Sequence, residues 1–369
     1  MYDNMLSNAA NFCNFTGTQM DELKILLAAV KNEPARRDKF QRAYEHFWHH
    51  TGDWENALKT YFDTDPEDDG TLLCVALAGI PLAVECFRQK GLPMGSLYEA
   101  LPEIRIWMEN FYGDYGHIGM ELHYGFSWYY STLASGVVLR FGRLEYNHGQ
   151  FYPDITVLRS KTTGERRILL NSNGCYDAKG RIAPDADGDG AFKTSHVFGI
   201  FYDKLQGHLI NRVNGSVARE TSDWDLREWE YDIQSGDRSL YLHIPAGEPL
   251  TPEGVEDSLR RMKRYYCSEN SGFYPKAVIC TSWLLDPQLQ EILPESSNLV
   301  KFQRRGYMLP STHLSSDTVR RVFGLKGVKE GIRSVPWNTL LRQRIGADLD
   351  AGIRYAGGRF VIFMDEIED

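Results

Sequence analysis

The sequence predicts an α+β fold, with a helical N-terminal domain over residues 1–135 and a mixed, mostly antiparallel sheet with flanking helices over 136–369. Two observations carry this prediction. Apolar residues recur at helical spacing up to about residue 135. Beyond Val138, strand-like runs bounded by glycine turns alternate with only a few helices. That pattern belongs to a mixed sheet, not to a doubly wound parallel one.

The elements follow in order. Residues 20–32 place Leu23, Ile25, Leu26, Ala29 and Val30 on one helical face. Residues 35–50 do the same with Phe40, Tyr44 and Phe47. Residues 72–90 are apolar on most faces, as a central buried helix should be. Helices over 96–111 and 119–139 complete the set, and the DTDPEDDG run at 63–70 is a turn-rich loop. In the second half, 143–151 reads as a strand. Residues 155–160 and 166–171 form a hairpin turning at Gly164. Strands at 229–233 and 239–244 flank the Ser235-Gly236-Asp237 turn. Thr251 and Pro252 are an N-cap and first-turn pair for a helix through Tyr265. Residues 276–284 and 299–308 read as two apolar strands, 317–323 and 338–350 as helices. Residues 353–355 and 359–364 read as a closing hairpin around Gly357-Gly358.

Composition narrows the function. The 369 residues carry a net charge of −9, which repels phosphate backbones, so no nucleic acid partner is expected. The longest apolar stretch, 72–84, is short for a bilayer and contains Gly79 and Pro81, so no membrane partner is expected either. The six cysteines form no C-x-x-C pair, which leaves zinc without its usual signature. The N-terminus lacks a basic region followed by an apolar run. The expectation is a cytoplasmic protein with reduced thiols and a small-molecule substrate.

The run LHIPAGEPLTPEGVEDSLRRM, then VICTSWLLDPQLQEILPESSNLVKFQRR, carries a family likeness. The upstream segments IRIWMENFYGDYGHIGM and VLRFGRLEYN share it. Together they resemble bacterial proteins in which an N-acyltransferase N-terminal domain precedes a GNAT-like C-terminal domain. The likeness runs from about Ile104 to the end and is densest over 226–306. It implies a GNAT-like sheet whose two central strands splay apart and admit the pantetheine arm of an acyl-CoA co-substrate, with no metal. Residues 276–284 and 299–308 are the expected splayed pair. The implied activity is acyl transfer from acyl-CoA to an amine or similar nucleophile. The alternative is a GNAT-like binding protein without transferase activity, its ligand held in an interdomain cleft. The chain departs from the family at the [QR]-x-x-G-x-[GA] pyrophosphate motif. Gln303-Arg304-Arg305-Gly306 fits four positions, but Met308 breaks the pattern. Similar fragments begin at Arg88, Arg212, Arg321, Gln343 and Arg354.

Several residues are candidates for chemistry. His243 ends a strand beside a loop, a fitting place for a general base because histidine titrates near neutrality. Tyr307 and Tyr355 are candidate acids for a leaving thiolate. Cys280, Ser282, Trp283 and Gln303 are the candidate acyl-CoA contacts, with Trp283 equally suited to the core. Asp286-Pro287 reads as a helix cap. Asp185-Ala186-Asp187-Gly188-Asp189-Gly190 has the start of a calcium-loop spacing, but His196 stands where the bidentate Glu belongs. His46, His49 and His50 share a helix without an H-E-x-x-H pattern. P-loop, dinucleotide-fold and G-x-S-x-G motifs are absent.

Overall fold

The computed structural model describes residues 2–48, 56–58, 70–152, 154–183, 190–201, 203–269, 271–310 and 317–369. The chain forms two compact units: Met1–Asn147 with Ile244–Glu248, and His148–His243 with Pro249–Asp369. The calcium-like spacing at 185–189 and the histidines 49 and 50 lie outside the described residues.

The first unit opens with α1 (Tyr2–Phe12), α2 (Gly17–Asn32) and α3 (Pro34–Trp48). Thr16 starts α2 with a capping box: Gln19 N donates to Thr16 Oγ1, and Thr16 N donates to Gln19 Oε1. The apolar run becomes α4 (Thr71–Gln89), which meets α1 and α3 and is buried along most of its length. By length and hydropathy α4 would cross a membrane, but here its apolar surface is taken up by neighbouring helices. Gly79 allows the closest of these approaches: a Cβ there would lie 2.0 Å from the Trp48 ring. Helices α5 (Met94–Ala100) and α6 (Glu103–Tyr115) replace the single helix expected over 96–111, because Pro102 interrupts it.

Residues 119–139 depart from the expected α-helix. Leu122–Phe126 and Tyr129–Ala134 are π-helical, and strand β1 (Val138–Phe141) has already begun at Val138. Hydroxyls give the physical reason. Ser127, Ser131, Thr132 and Ser135 each donate to the carbonyl four residues back, competing with the ordinary helical ladder. Strand β2 (Leu144–Gln150) then pairs antiparallel with β1.

This hairpin carries a buried charge cluster. Arg140 Nη1 donates to Glu103 Oε1 at 2.8 Å, with both side chains under a tenth exposed. Glu145 is fully buried. Burial pushes its pKa well above the ordinary carboxylate value, and the Glu103 carboxylate adds to the rise while Arg140 opposes it.

The second unit is two sheets packed face to face. The main sheet runs β11 (Arg238–His243), β12 (Ala277–Ser282), β14 (Gly358–Phe363), β13 (Tyr307–Leu309). The second sheet runs β10 (Trp229–Tyr231), β3 (Ile155–Ser160), β4 (Arg166–Leu170), β8 (Lys204–Ile210), β7 (Phe198–Phe201), with β9 (Val217–Asp225) also on β8. A small ribbon, β5 (Cys175–Tyr176) with β6 (Phe192–Lys193), joins its edge of the core. The β3–β4 hairpin turns at Gly164, whose φ of +72° suits glycine. Val157, Ile168, Leu170 and Ile210 of the second sheet meet Ala277, Ile279, Val361 and Phe363 of the first in one core. Strands β8 and β9 escaped the sequence reading because polar residues interrupt any apolar run, those of β9 on a largely exposed face.

The segment expected as a strand over 299–308 is mostly helix. Ser297 caps α8 (Asn298–Arg305), its Oγ accepting from Leu299 N, and only Tyr307–Leu309 is strand. Thr251 caps α7 (Pro252–Tyr266) as expected, its Oγ1 accepting from Gly254 N at 3.2 Å. Helices α9 (Asp317–Glu330) and α10 (Leu340–Asp350) fill the connection between β13 and β14. Residues 353–357 form no strand, so the expected closing hairpin reduces to β14 alone.

Glu145 makes a pH prediction. Its folded pKa lies above its unfolded one, so its contribution is complete below about pH 4.3 and is lost as pH rises towards the folded value. Glu145→Gln removes that dependence. Urea unfolding should show the variant gaining on the parent as pH rises above about 4.3. A difference that does not change with pH would count against a neutral buried carboxyl.

Candidate functional site

Strands β11 and β12 run parallel, joined by the crossover helix α7. Their pairing starts at Ser239 with Ala277 and ends at Leu242 with Cys280. Beyond that point β12 continues only with β14, pairing Thr281 with Arg359 and Ser282 with Gly358. The two parallel strands therefore part at their C-terminal ends. The parting lies between His243 on one side and Thr281–Ser282 on the other. This corrects the expected splay between 276–284 and 299–308: the latter segment is a helix, and its short strand pairs with β14, not β12.

The end of β12 is held by a buried network. Ser282 Oγ accepts from Leu284 N at 3.2 Å and starts the helical turn Trp283–Leu285. Asp286 is 1% exposed, and its carboxylate accepts from Gln288 N at 2.9 Å, Ala356 N at 2.7 Å and Gly357 N at 3.0 Å. Burial raises the Asp286 pKa against the pull of these donors. The cap role expected for Asp286 extends across the sheet to the start of β14. Gly358 has no room for a side chain, since a Cβ there would sit 1.8 Å from Leu285 O.

The predicted residues separate into groups. His243 and Ser282 are half-buried and stand at the parting. Trp283 follows on the same strand end and packs against the cluster of Leu289, Phe323, Ile345 and Tyr355. Cys280 is buried in mid-sheet between Leu242 and Phe360, and burial raises its thiol pKa, so it offers neither a thiolate nor a contact surface. Gln303 is corrected as a phosphate contact. It is fully buried on α8, and its Nε2 donates to Leu284 O at 2.7 Å and Asp286 O at 3.1 Å. Its role is to hold the turn after β12. Tyr307 lies on the far side of β14, its hydroxyl donating to Glu366 Oε1 at 2.9 Å. Burial first, then that carboxylate, pushes its pKa up to about 12, which holds its proton in place. Tyr355 is buried and donates to Asp348 Oδ2 at 2.5 Å. Among the described residues, no group of three His, Cys, Asp or Glu side chains is placed to hold a metal.

Thr281, not singled out in the sequence, stands beside Ser282 on the same strand end. The segment 244–251 connects the end of β11 to α7 and contains Gly247 at φ +108°. The fragment 303–308 spans a helix, its C-cap Gly306 and a strand.

The family described as GNAT-like C-terminal domain matches residues 138–360, and the N-acyltransferase N-terminal domain matches residues 7–133. The chain belongs to this two-domain N-acyltransferase family. No curated protein matches it. Solved structures share the fold at low identity. One is an acyltransferase mutant in complex with octanoyl-CoA, 17% identical, covering 97% of this chain and 87% of that chain at a TM-score of 0.60. Another is an acyltransferase in complex with decanoyl-CoA, 20% identical over the same shares at 0.57. A third is an acyltransferase in complex with decanoyl-CoA and teicoplanin, 18% identical, covering 93% of this chain and 83% of that chain at 0.55.

Replacing Gln303 by Leu strands the carbonyl of Leu284 without a donor, while Asp286 O keeps Leu289 N. The expected cost is about 1–3 kcal/mol, read as a lower urea midpoint at an unchanged slope. A variant as stable as the parent would mean that the turn is held by Asp286 alone.

Proposed function

We propose that this chain, as a helical domain over 1–135 and a GNAT-like domain over 136–369, transfers an acyl group from acyl-CoA to an amine or similar nucleophile on a small molecule. The observation that carries the reading is the parting of the parallel pair β11 and β12 at His243 and Ser282. Beyond Cys280 the edge of β12 that faced β11 is no longer paired with it. Such an edge suits the amides of a pantetheine arm. The octanoyl-CoA and decanoyl-CoA held by proteins of the same fold support an acyl group of medium length.

In this reading Thr281 and Ser282 line the donor channel. His243 accepts the proton of the attacking amine as its nitrogen bonds to the thioester carbonyl carbon. The C–S bond then breaks and coenzyme A leaves as the thiolate, which takes up a proton. Positioning and polarisation of the carbonyl supply most of the rate, as expected for acyl transfer from an activated thioester.

Calorimetric titration with octanoyl-CoA tests donor binding, and thioester loss with and without an amine panel tests transfer. Ser282→Trp should abolish octanoyl-CoA binding in a folded protein. His243→Ala should bind octanoyl-CoA as the parent does while losing about 10²–10⁴-fold in turnover. Binding without amine-dependent thioester loss would favour a ligand-binding protein, and no binding of any acyl-CoA would sink the reading.

A further inference from the structure

A cavity of about 170 Å³ lies on the β14 side of the same strand end. Its volume is about six waters' worth, enough for one ring-sized group. Arg181, Asn214, Asp286, Pro287, Ile353 and Arg354 are in its lining. Gly357 forms part of the wall and backs onto β12, a Cβ there lying 3.3 Å from Ser282 O and 3.4 Å from Trp283 Cα. The parting and the cavity are thus on opposite sides of one strand end.

Counting donors and acceptors gives the chemistry of the occupant. Both carboxylates of the lining are already engaged by the protein. Asp177 accepts from Lys179 N and Arg181 N at 2.9 Å each, and from Arg181 Nε at 3.1 Å. Asp286 accepts from three backbone N–H groups. The donors are not used up. Arg181 spends Nε on Asp177 and Nη1 on Glu291 at 3.5 Å, leaving Nη2 without a partner among the described residues. The Arg354 guanidinium and the Asn214 Nδ2, both on exposed residues at the cavity mouth, likewise have no hydrogen bond or ion pair among the described residues. Lining rich in open N–H donors and closed acceptors selects an anionic oxygen group. Ile353 and Pro287 supply apolar walls beside it.

We propose that this cavity binds a carboxylate carried by the acceptor molecule, with Arg354 and Arg181 as its cations. The assignment to the acceptor rests on the acyl-transfer reading, in which the donor enters on the β11 side. An acceptor seated here presents its amine to the strand end from the side opposite the thioester. The acceptor is then an amine that also bears an acid, not a simple alkylamine.

The test uses the intact chain and three probes: benzoate, its neutral isostere benzamide, and inorganic phosphate. Calorimetric titration should show benzoate binding at least about tenfold more tightly than benzamide, a difference of about 1.4 kcal/mol. That preference should vanish in Arg354→Gln/Arg181→Gln, while octanoyl-CoA affinity stays as in the parent. Benzoate no tighter than benzamide, or a preference that persists in the folded double variant, overturns the proposal. Phosphate that binds here and competes with octanoyl-CoA also overturns it, because the cavity would then serve the donor. Turnover is read separately. Lost turnover with benzoate selectivity intact counts against acyl transfer, and intact turnover without selectivity counts against the cavity.

Discussion

The buried carboxylate of Asp286 organises the end of β12. It leaves a helical turn, closes the first backbone amide of the next segment, and reaches across to the two amides that lead into β14. A carboxylate in such a place is costly unless its lone pairs are occupied. Here three N–H groups meet that cost, and they can do so in only one arrangement of the two chain segments. Gln303 adds a fourth tie from α8, bonding the carbonyls on either side of the same turn. Because these ties are directional, the point at which β12 leaves β11 is a fixed geometric feature and not a frayed end.

The sheet-to-sheet core supports that point from below. Ile279 and Val361 face the apolar side of the second sheet, so β12 and β14 cannot slide without exposing both. The rim is held by charge. Arg166, almost fully buried, stacks 4.1 Å over the Phe363 ring and donates to Asp232, Asp365 and Glu366. Its planar fork spreads one positive charge over three carboxylates and an aromatic face, which a lysine could not do. Apolar packing therefore sets the register, and polar ties set the ends.

Much of the architecture was legible in the sequence. The cap at Thr251, the Gly164 turn and the apolar run of α4 all follow from local chemistry that needs no partner. What escaped depended on tertiary context. The run Asn298–Arg305 alternates enough to look like a strand, yet the buried positions Val300, Phe302 and Gln303 sit on a helix packed by α7. The π-helical turns arise from hydroxyls competing for carbonyls, a contest that hydrophobic period does not reveal. His243 and Ser282 were legible as strand ends, but which two strands part there was not, because strand pairing is a long-range property. Cys280 and Tyr307 drew attention by residue type alone, and burial gives each a quieter position.

The strand order also has a consequence for how the protein is made. β14 lies in the interior of the main sheet, between β12 and β13, although it is the last strand in chain order. Until Gly358–Phe363 has emerged from the ribosome, β12 lacks its antiparallel neighbour and β13 its strand partner. The Asp286 carboxylate waits for amides that have not yet been translated. A nascent chain stalled before this strand would present apolar β12 edge-on to the cell. Only a chain read through to β14 can therefore close this core.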